Sequence, residues 1–383
     1  MFFSCKIQKL VGTGMQMLQM FLFLDFIFGK NTMKLKHISH LIDTSSAKLF
    51  GLMPDGEKIY LFELINKNGM KVQVINYGAV VTSIQVPLSN GKMTDVVLGF
   101  DNLQAYLDSY NLPSAPYFGA TIGRYAGRIH NGAFTLNDKT FKLTGNNNGN
   151  TLHGGNFGFG RKAWDVTKIT SDENPSITLE LISEDADENF PGEMHVSLTY
   201  TLSEANELKL EYKATTTEDT VINLTHHSYF NLNGHDSAVL DQKMFVKSVK
   251  MLETDSNNIP TGNFTDLTNH DFDFRTPKNC PFPIDNSFVV NSKTEVVAKL
   301  FSQKSNLQMF VYTDQPSVHV YVGGNCFDQL KGKENTDYHP TSGICFETQN
   351  FPDAPNQKHF PNSILKKGEE YHQKTIYKFE NII

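Results

Sequence analysis

Apolar and polar side chains alternate at every second position along much of the chain. Lys71-Val-Gln-Val-Ile does so, and Glu207-Leu-Lys-Leu-Glu-Tyr-Lys-Ala sets Leu208, Leu210, Tyr212 and Ala214 on one face. A period of two belongs to a strand with one buried side. Further strands are predicted over 95–99, 139–143, 177–182, 196–202, 221–224, 309–313 and 319–322. Asn68-Gly69, Asn90-Gly91 and Asn131-Gly132 supply turns, because Asn and Gly tolerate positive φ; the second joins two apolar runs as a tight hairpin. Residues 102–108 form the best short helix, and no stretch has the pattern of a long amphipathic one. Many short strands and frequent turns predict an all-β fold, a large antiparallel sandwich or barrel with few short helices. No fixed-period repeat and no Ser-, Pro- or charge-rich linker divides 44–383, which is expected to be a single domain.

Composition narrows the function. The 383 residues carry 39% hydrophobic and 20% charged side chains, enough for a sizeable core without disulfide or metal staples. A net charge of −7 gives no electrostatic footprint for nucleic acid or an anionic membrane. None of the four cysteines, Cys5, Cys280, Cys326 and Cys345, stands in a C-x-x-C pair, so reduced thiols in a reducing, cytoplasmic setting are expected. Residues 1–32 stand apart. Lys6 and Lys9 precede an apolar run from Met15 to Phe28, interrupted by Gln16, Gln19 and Asp25. The segment reads as a signal or anchor, which would export the protein, as a disordered leader, or as an extension upstream of a start at Met33. Phosphate-loop, dinucleotide, zinc-protease and serine-hydrolase motifs are missing.

Four segments are dense in polar, glycine and aromatic residues: 123–129 (GRYAGRI), 150–155 (NTLHGG), 223–232 (NLTHHSYFNL) and 345–354 (CFETQNFPDA). Arg124 and Arg128 offer planar donor forks suited to hydroxyl or carboxylate oxygens, or to structural pairing. His153 precedes two glycines that admit close backbone approach. Adjacent strand residues face opposite ways, so only one of His226 and His227 can enter a given pocket, and the two cannot chelate one metal. Glu347, set among apolar residues, suits a general base if burial raises its pKa.

In order and spacing these segments resemble the aldose 1-epimerase (galactose mutarotase) family, over about Met53 to Phe379. The resemblance implies a galactose mutarotase-like supersandwich with an open sugar cleft, and interconversion of the α and β anomers of a free aldose such as glucose or galactose. It implies Glu347 as catalytic base and His227 as catalytic acid. It implies sugar contacts at Arg128, His153 and Asp273, the last in Phe272-Asp-Phe-Arg, and, more loosely, at Gly127, Ser228, Tyr229 and His319. Three positions depart from the family pattern: Gly127 and His226 stand where many relatives have Asn, and His319 where some have a sugar-contacting Gln. They bear on substrate preference rather than on reaction type. Phe346 joins Tyr229 as a candidate apolar contact.

Mutarotation removes a proton from the C1 hydroxyl and delivers one to the ring oxygen, so two proton-transfer groups suffice. The expected resting state is Glu347 ionised and His227 protonated. No cofactor and no metal site is required, although the resemblance permits Ca²⁺. The only partner expected is the sugar, with the enzyme a monomer or homodimer and neither nucleic acid nor membrane involved. The alternatives are a catalytically silent sugar-binding protein on the same scaffold, a hexose-6-phosphate 1-epimerase and, last, a glycoside hydrolase needing paired carboxylates.

Overall fold

A computed structural model describes residues 47–291, 295–323 and 331–382. The expectations for residues 1–32, for the domain boundary at 44 and for Cys5 and Cys326 lie outside the described residues. Within them the fold is all-β, with three main sheets and a single α-helix, Leu103–Ser109, capped by the Asn102 side chain accepting from the Ala105 amide.

The first five strands make a meander over Lys48–Leu52, Lys58–Ile65, Lys71–Ile75, Val80–Pro87 and Met93–Asp95. A nine-stranded sheet runs in the order Asp165–Thr170, Ser176–Ser183, Met194–Leu202, Glu207–Thr216, Tyr371–Asn381, Leu307–Thr313, Ala298–Ser302, Lys243–Val246, Lys278–Asn279. Its centre is therefore the C-terminal strand, clasped between two distant parts of the chain. A six-stranded sheet has the order Tyr229–Phe230, Ile344–Gln349, Ser317–Val322, Ile284–Val289, Lys250–Thr254, Pro260–Asp266. All paired strands are antiparallel, as period-two patterning with one wet face predicts.

One core joins the two large sheets. Leu179, Leu198, Leu208, Leu210 and Tyr212 of the nine-stranded sheet cluster with Val318, Val320, Val322, Ile344 and Phe346 of the six-stranded one, all fully buried. The latter residues occupy every second position of their strands. The residues alternating with these, and with Ile284 and Phe288 of the same sheet, are Asp285, Ser287, His319, Tyr321, Glu347 and Gln349, which are thereby committed to the opposite face, where a cleft opens. The alternation that builds the core also sets a row of polar groups above it.

Two predicted strands are corrected. Residues 95–99 leave the meander at Asp95, after which Val97 bridges to Phe230 and the Leu98 amide donates to the Tyr229 carbonyl. Residues 221–224 change partners midway: Thr220–Val221 pairs with Ile364–Leu365, and Thr225–His226 with Thr121–Ile122. The 88–92 connection forms the expected hairpin, closed by the Leu88 amide donating to the Lys92 carbonyl, with Gly91 at φ +80°.

Candidate active site

The cleft gathers residues from all four polar segments. Ile344–Gln349 supplies Glu347, and the register pairs Glu347 with His319 and His319 with Ser287. His227 comes from the crossing between Thr225–His226 and Tyr229–Phe230. Its backbone is fixed on both sides, its amide donating to the Ala120 carbonyl and its carbonyl accepting from the Gly119 amide. The ring stacks between Tyr117 (6.0 Å, 27°) and Tyr229 (5.2 Å, 21°), and its Nδ1 lies 3.6 Å from Cys345 Sγ. That leaves Nε2 facing Glu347 Oε1 at 3.5 Å. Both side chains are almost fully buried, yet both line the cleft.

His153 completes the group. Its ring meets His227 edge-on at 5.4 Å, and one ligand-type atom from each of His153, His227 and Glu347 lies within 4.8 Å of the others. The Gly127 amide donates to His153 Nδ1 at 3.3 Å, while the His153 amide donates to the Gly127 carbonyl. An accepting Nδ1 places the proton of the neutral ring on Nε2, which makes His153 a donor toward the cleft. The glycine after it is required by packing: a Cβ on Gly154 would sit 2.0 Å from the Gly123 carbonyl oxygen. Gly127 itself has φ +77°, and a Cβ there would lie 2.9 Å from Pro352 Cγ. This chain thus places glycine before Arg128 and uses its backbone to orient His153.

The arginines divide. Arg128 lines the cleft and donates from Nε to Asn147 Oδ1 at 3.1 Å. Arg124 is buried and spent on Ser183 Oγ and the carbonyls of Ser183, Glu184 and Pro191, so it is structural. The adjacent histidines divide as alternation requires. His226 points away, bonded through Nε2 to Ser228 Oγ at 2.7 Å.

Four residues expected at the sugar, Ser228, Tyr229, Phe346 and Asp273, lie off the cleft wall. Ser228 faces inward with His226 and does not line the cleft, and Tyr229 reaches the site only as the ring behind His227. Phe346 belongs to the core. Asp273 does not line the cleft either; Arg275 grips its carboxylate at 2.8 and 2.7 Å. The carboxylate that does face the cleft beside Glu347 is Asp285, held by His319 Nε2 at 2.8 Å and by Asn258 Nδ2 at 2.8 Å. The sequence carried a signal for it, since Asp285 and Ser287 are polar at strand spacing, but no strand was predicted over 284–289.

Electrostatics separate the three cleft histidines. Burial, reinforced by His227, Arg128 and His319, holds His153 well below the ordinary imidazole value. Burial also lowers His227, and the charge of Glu347 only partly restores it. That direction runs against the protonated His227 expected from the sequence. His319 goes the other way. Burial opposes its charge, but the hydrogen bond and charge of Asp285, with the charge of Glu347, raise its pKa.

Among the described residues, His153, His227 and Glu347 form the cluster with metal-ligand reach. Two imidazoles and one carboxylate do not fit Ca²⁺, which takes six to eight oxygen ligands. The accepting Nδ1 of His153 also leaves no Nε2 lone pair for a cation.

Comparison with known proteins agrees with this architecture. The sequence profile described as aldose 1-epimerase matches residues 60–378. The galactose mutarotase of Bos taurus is 37% identical over 342 residues, covering 86% of this chain and 97% of its own. The aldose 1-epimerase of Escherichia coli K12 is 31% identical over 345 residues, with the same coverage of 86% and 97%. Among solved structures, an aldose epimerase homologue from C. elegans superposes with a TM-score of 0.78 at 29% identity, over 84% of this chain and 99% of the other.

Proposed function

The chain belongs to the aldose 1-epimerase family, and from that premise we propose that Glu347 and His227 carry the two proton transfers of its mutarotase reaction. The enzyme interconverts the α and β anomers of free aldoses. The observation that carries the assignment of roles is the Glu347 carboxylate and His227 imidazole, 3.5 Å apart in an open cleft.

Glu347 removes the proton of the C1 hydroxyl while the imidazolium of His227 protonates the ring oxygen. The C1–O5 bond breaks to give the open-chain aldehyde. Rotation about C1–C2 presents the other carbonyl face, and on reclosure O5 attacks C1, His227 takes back the proton from O5, and Glu347 returns its proton to O1. The productive state holds one proton on the Glu347–His227 pair, so the pH dependence belongs to the pair rather than to either residue. His153 donates from Nε2 to a sugar oxygen. Arg128 and Asp285 hold hydroxyls, one as donor and one as acceptor, which orients the sugar for in-place transfer. No step is routed through a metal.

Free aldoses suit the cleft better than phosphorylated ones. Two carboxylates, Asp285 and Glu347, face it, and His319 is committed to Asp285. Arg161 at the rim is stacked over Tyr110 and Phe157. A reducing, cytoplasmic setting suits the two described cysteines, Cys280 and Cys345, which are free and buried. Among the described residues no helix is long and apolar enough to cross a membrane. The test is polarimetry from pure α-D-glucose and α-D-galactose, with and without EDTA, beside glucose 6-phosphate. Rapid, EDTA-insensitive decay on the free sugars alone is expected. Preference for the phosphate, or a loss restored by Ca²⁺, overturns the reading.

A further inference from the structure

His319 stands at the centre of the polar row, yet neither of its ring nitrogens is available to a sugar. Nε2 pairs with Asp285 Oδ1 at 2.8 Å, and Nδ1 meets Ser287 Oγ at 2.9 Å. Ser287 is its direct partner across one ladder, and Glu347 its direct partner across the other. Directly opposed residues bring their Cβ atoms to about 5 Å. An imidazole bonded in this way acts on its neighbours, not on the ligand.

We propose that His319 is a positioning residue that aims the Asp285 carboxylate at the sugar and sets a positive charge beside the Glu347–His227 pair. The inference rests on Glu347 and His227 being the proton-transfer pair.

His227 faces Glu347 and Cys345 from Ile344–Gln349, His153 and Tyr117 from the loops above, and Tyr229 from its own segment. His319 faces Asp285 and Ser287 from Ile284–Val289 and Glu347 from Ile344–Gln349. Arg128 adds positive charge to His319, His153 and Asp285 alike. Against this background the His319 charge is attractive to Glu347 and repulsive to a proton on His227. Both effects disfavour an added proton on the pair. Removing the charge while keeping the hydrogen bonds must therefore move the activity profile toward alkaline pH.

His319→Gln is the informative variant, since an amide can still donate to Asp285 and accept from Ser287. The profile of kcat/KM against pH, measured by polarimetry on glucose, is expected to shift upward by about one pH unit, the scale of a nearby charge. His319→Phe loses the clamp as well, and KM for glucose is expected to rise at least tenfold on top of that shift. A His319→Gln profile superimposable on wild type overturns the inference, as does a raised KM with no shift, which would make His319 a direct reader of the sugar. As a measurement independent of any variant, the His319 ring signal in labelled wild-type enzyme is expected to titrate above the ordinary imidazole value; titration below it also overturns the inference. Glu347→Gln separates this test from its premise. If that variant stays active, the proton-transfer assignment falls; if it is inactive and His319→Gln shows no shift, only the role of His319 falls.

Discussion

Replacing Glu347 by glutamine changes one atom in the middle of the cleft and has two consequences of different size. The first is loss of the base. Proton transfer by a positioned side chain contributes on the order of 10²–10⁴-fold to rate. The second acts through His227. At the observed 3.5 Å, a unit charge pair in a medium of effective dielectric near 20 interacts by about 5 kcal/mol, an upper bound for what the carboxylate supplies to the imidazolium. Burial already lowers His227, and losing that charge moves the donor further from its protonated form. One substitution thus removes the acceptor and disarms the donor, and kcat/KM is expected to fall by at least about 10³-fold. Stability should move little or rise, because a buried charge is exchanged for a neutral group of equal size. The assay is polarimetric decay of α-D-glucose against the buffer rate, with thermal unfolding as a control for the fold. A folded Glu347→Gln enzyme within tenfold of wild type refutes the reasoning.

Further outcomes follow from side chains the structure reassigns. Asp285→Asn should raise KM for glucose at least about tenfold, the scale of a lost charge-assisted hydrogen bond, whereas Asp273→Asn should leave kcat/KM within about twofold; the reverse order would defeat the placement of the cleft carboxylate. Arg124→Met strands the buried carbonyls of Ser183 and Pro191 and the half-buried one of Glu184 and should cost about 3–5 kcal/mol in urea unfolding, with the remaining folded enzyme still active; an unchanged midpoint would contradict a structural role. His226 is buried, lacks a partner for Nδ1 among the described residues, and has its pKa pushed down to about 3 by burial and by His227. Below about pH 6.5 the unfolded chain binds a proton there that the native state refuses, so stability falls with decreasing pH by up to about 1.4 kcal/mol per unit until the native pKa is reached. Unfolding at pH 7.5 and pH 4.5 should show wild type losing about 3 kcal/mol more than His226→Asn; equal losses would refute it.

Much of the fold was legible because period-two alternation is a local signal. The 71–75 strand matches in both ends, and the 207–214 strand gains only two residues. The failures lie where pairing is decided by distant partners. Residues 221–224 read as one apolar strand, yet they pass between two neighbours and switch from one to the other, which no window along the chain can reveal. In the site, the alternation argument admitted only one histidine of the adjacent pair to a pocket without saying which, and the structure turns His227 toward the cleft and His226 away. It could not distinguish Asp273 from Asp285, because each is an Asp beside aromatic or apolar residues. What separates them is that Arg275, two residues on, captures the first carboxylate, while the register of Ile284–Val289 against His319 lifts the second into the cleft. Likewise Arg124 and Arg128 share a motif, but only the fold shows which guanidinium is consumed by carbonyls.

The main-chain bond from Gly127 to His153 has a consequence for anyone redesigning this enzyme. Position 127 is strained for any side chain by a left-handed backbone, which Asn tolerates best, and by Pro352, so saturation libraries there should return few active clones beyond Asn. Diversity in sugar preference has to enter elsewhere on the cleft wall, through Asn147, Asn258 or Ser287, whose side chains touch the recognition groups without sharing their backbone constraints.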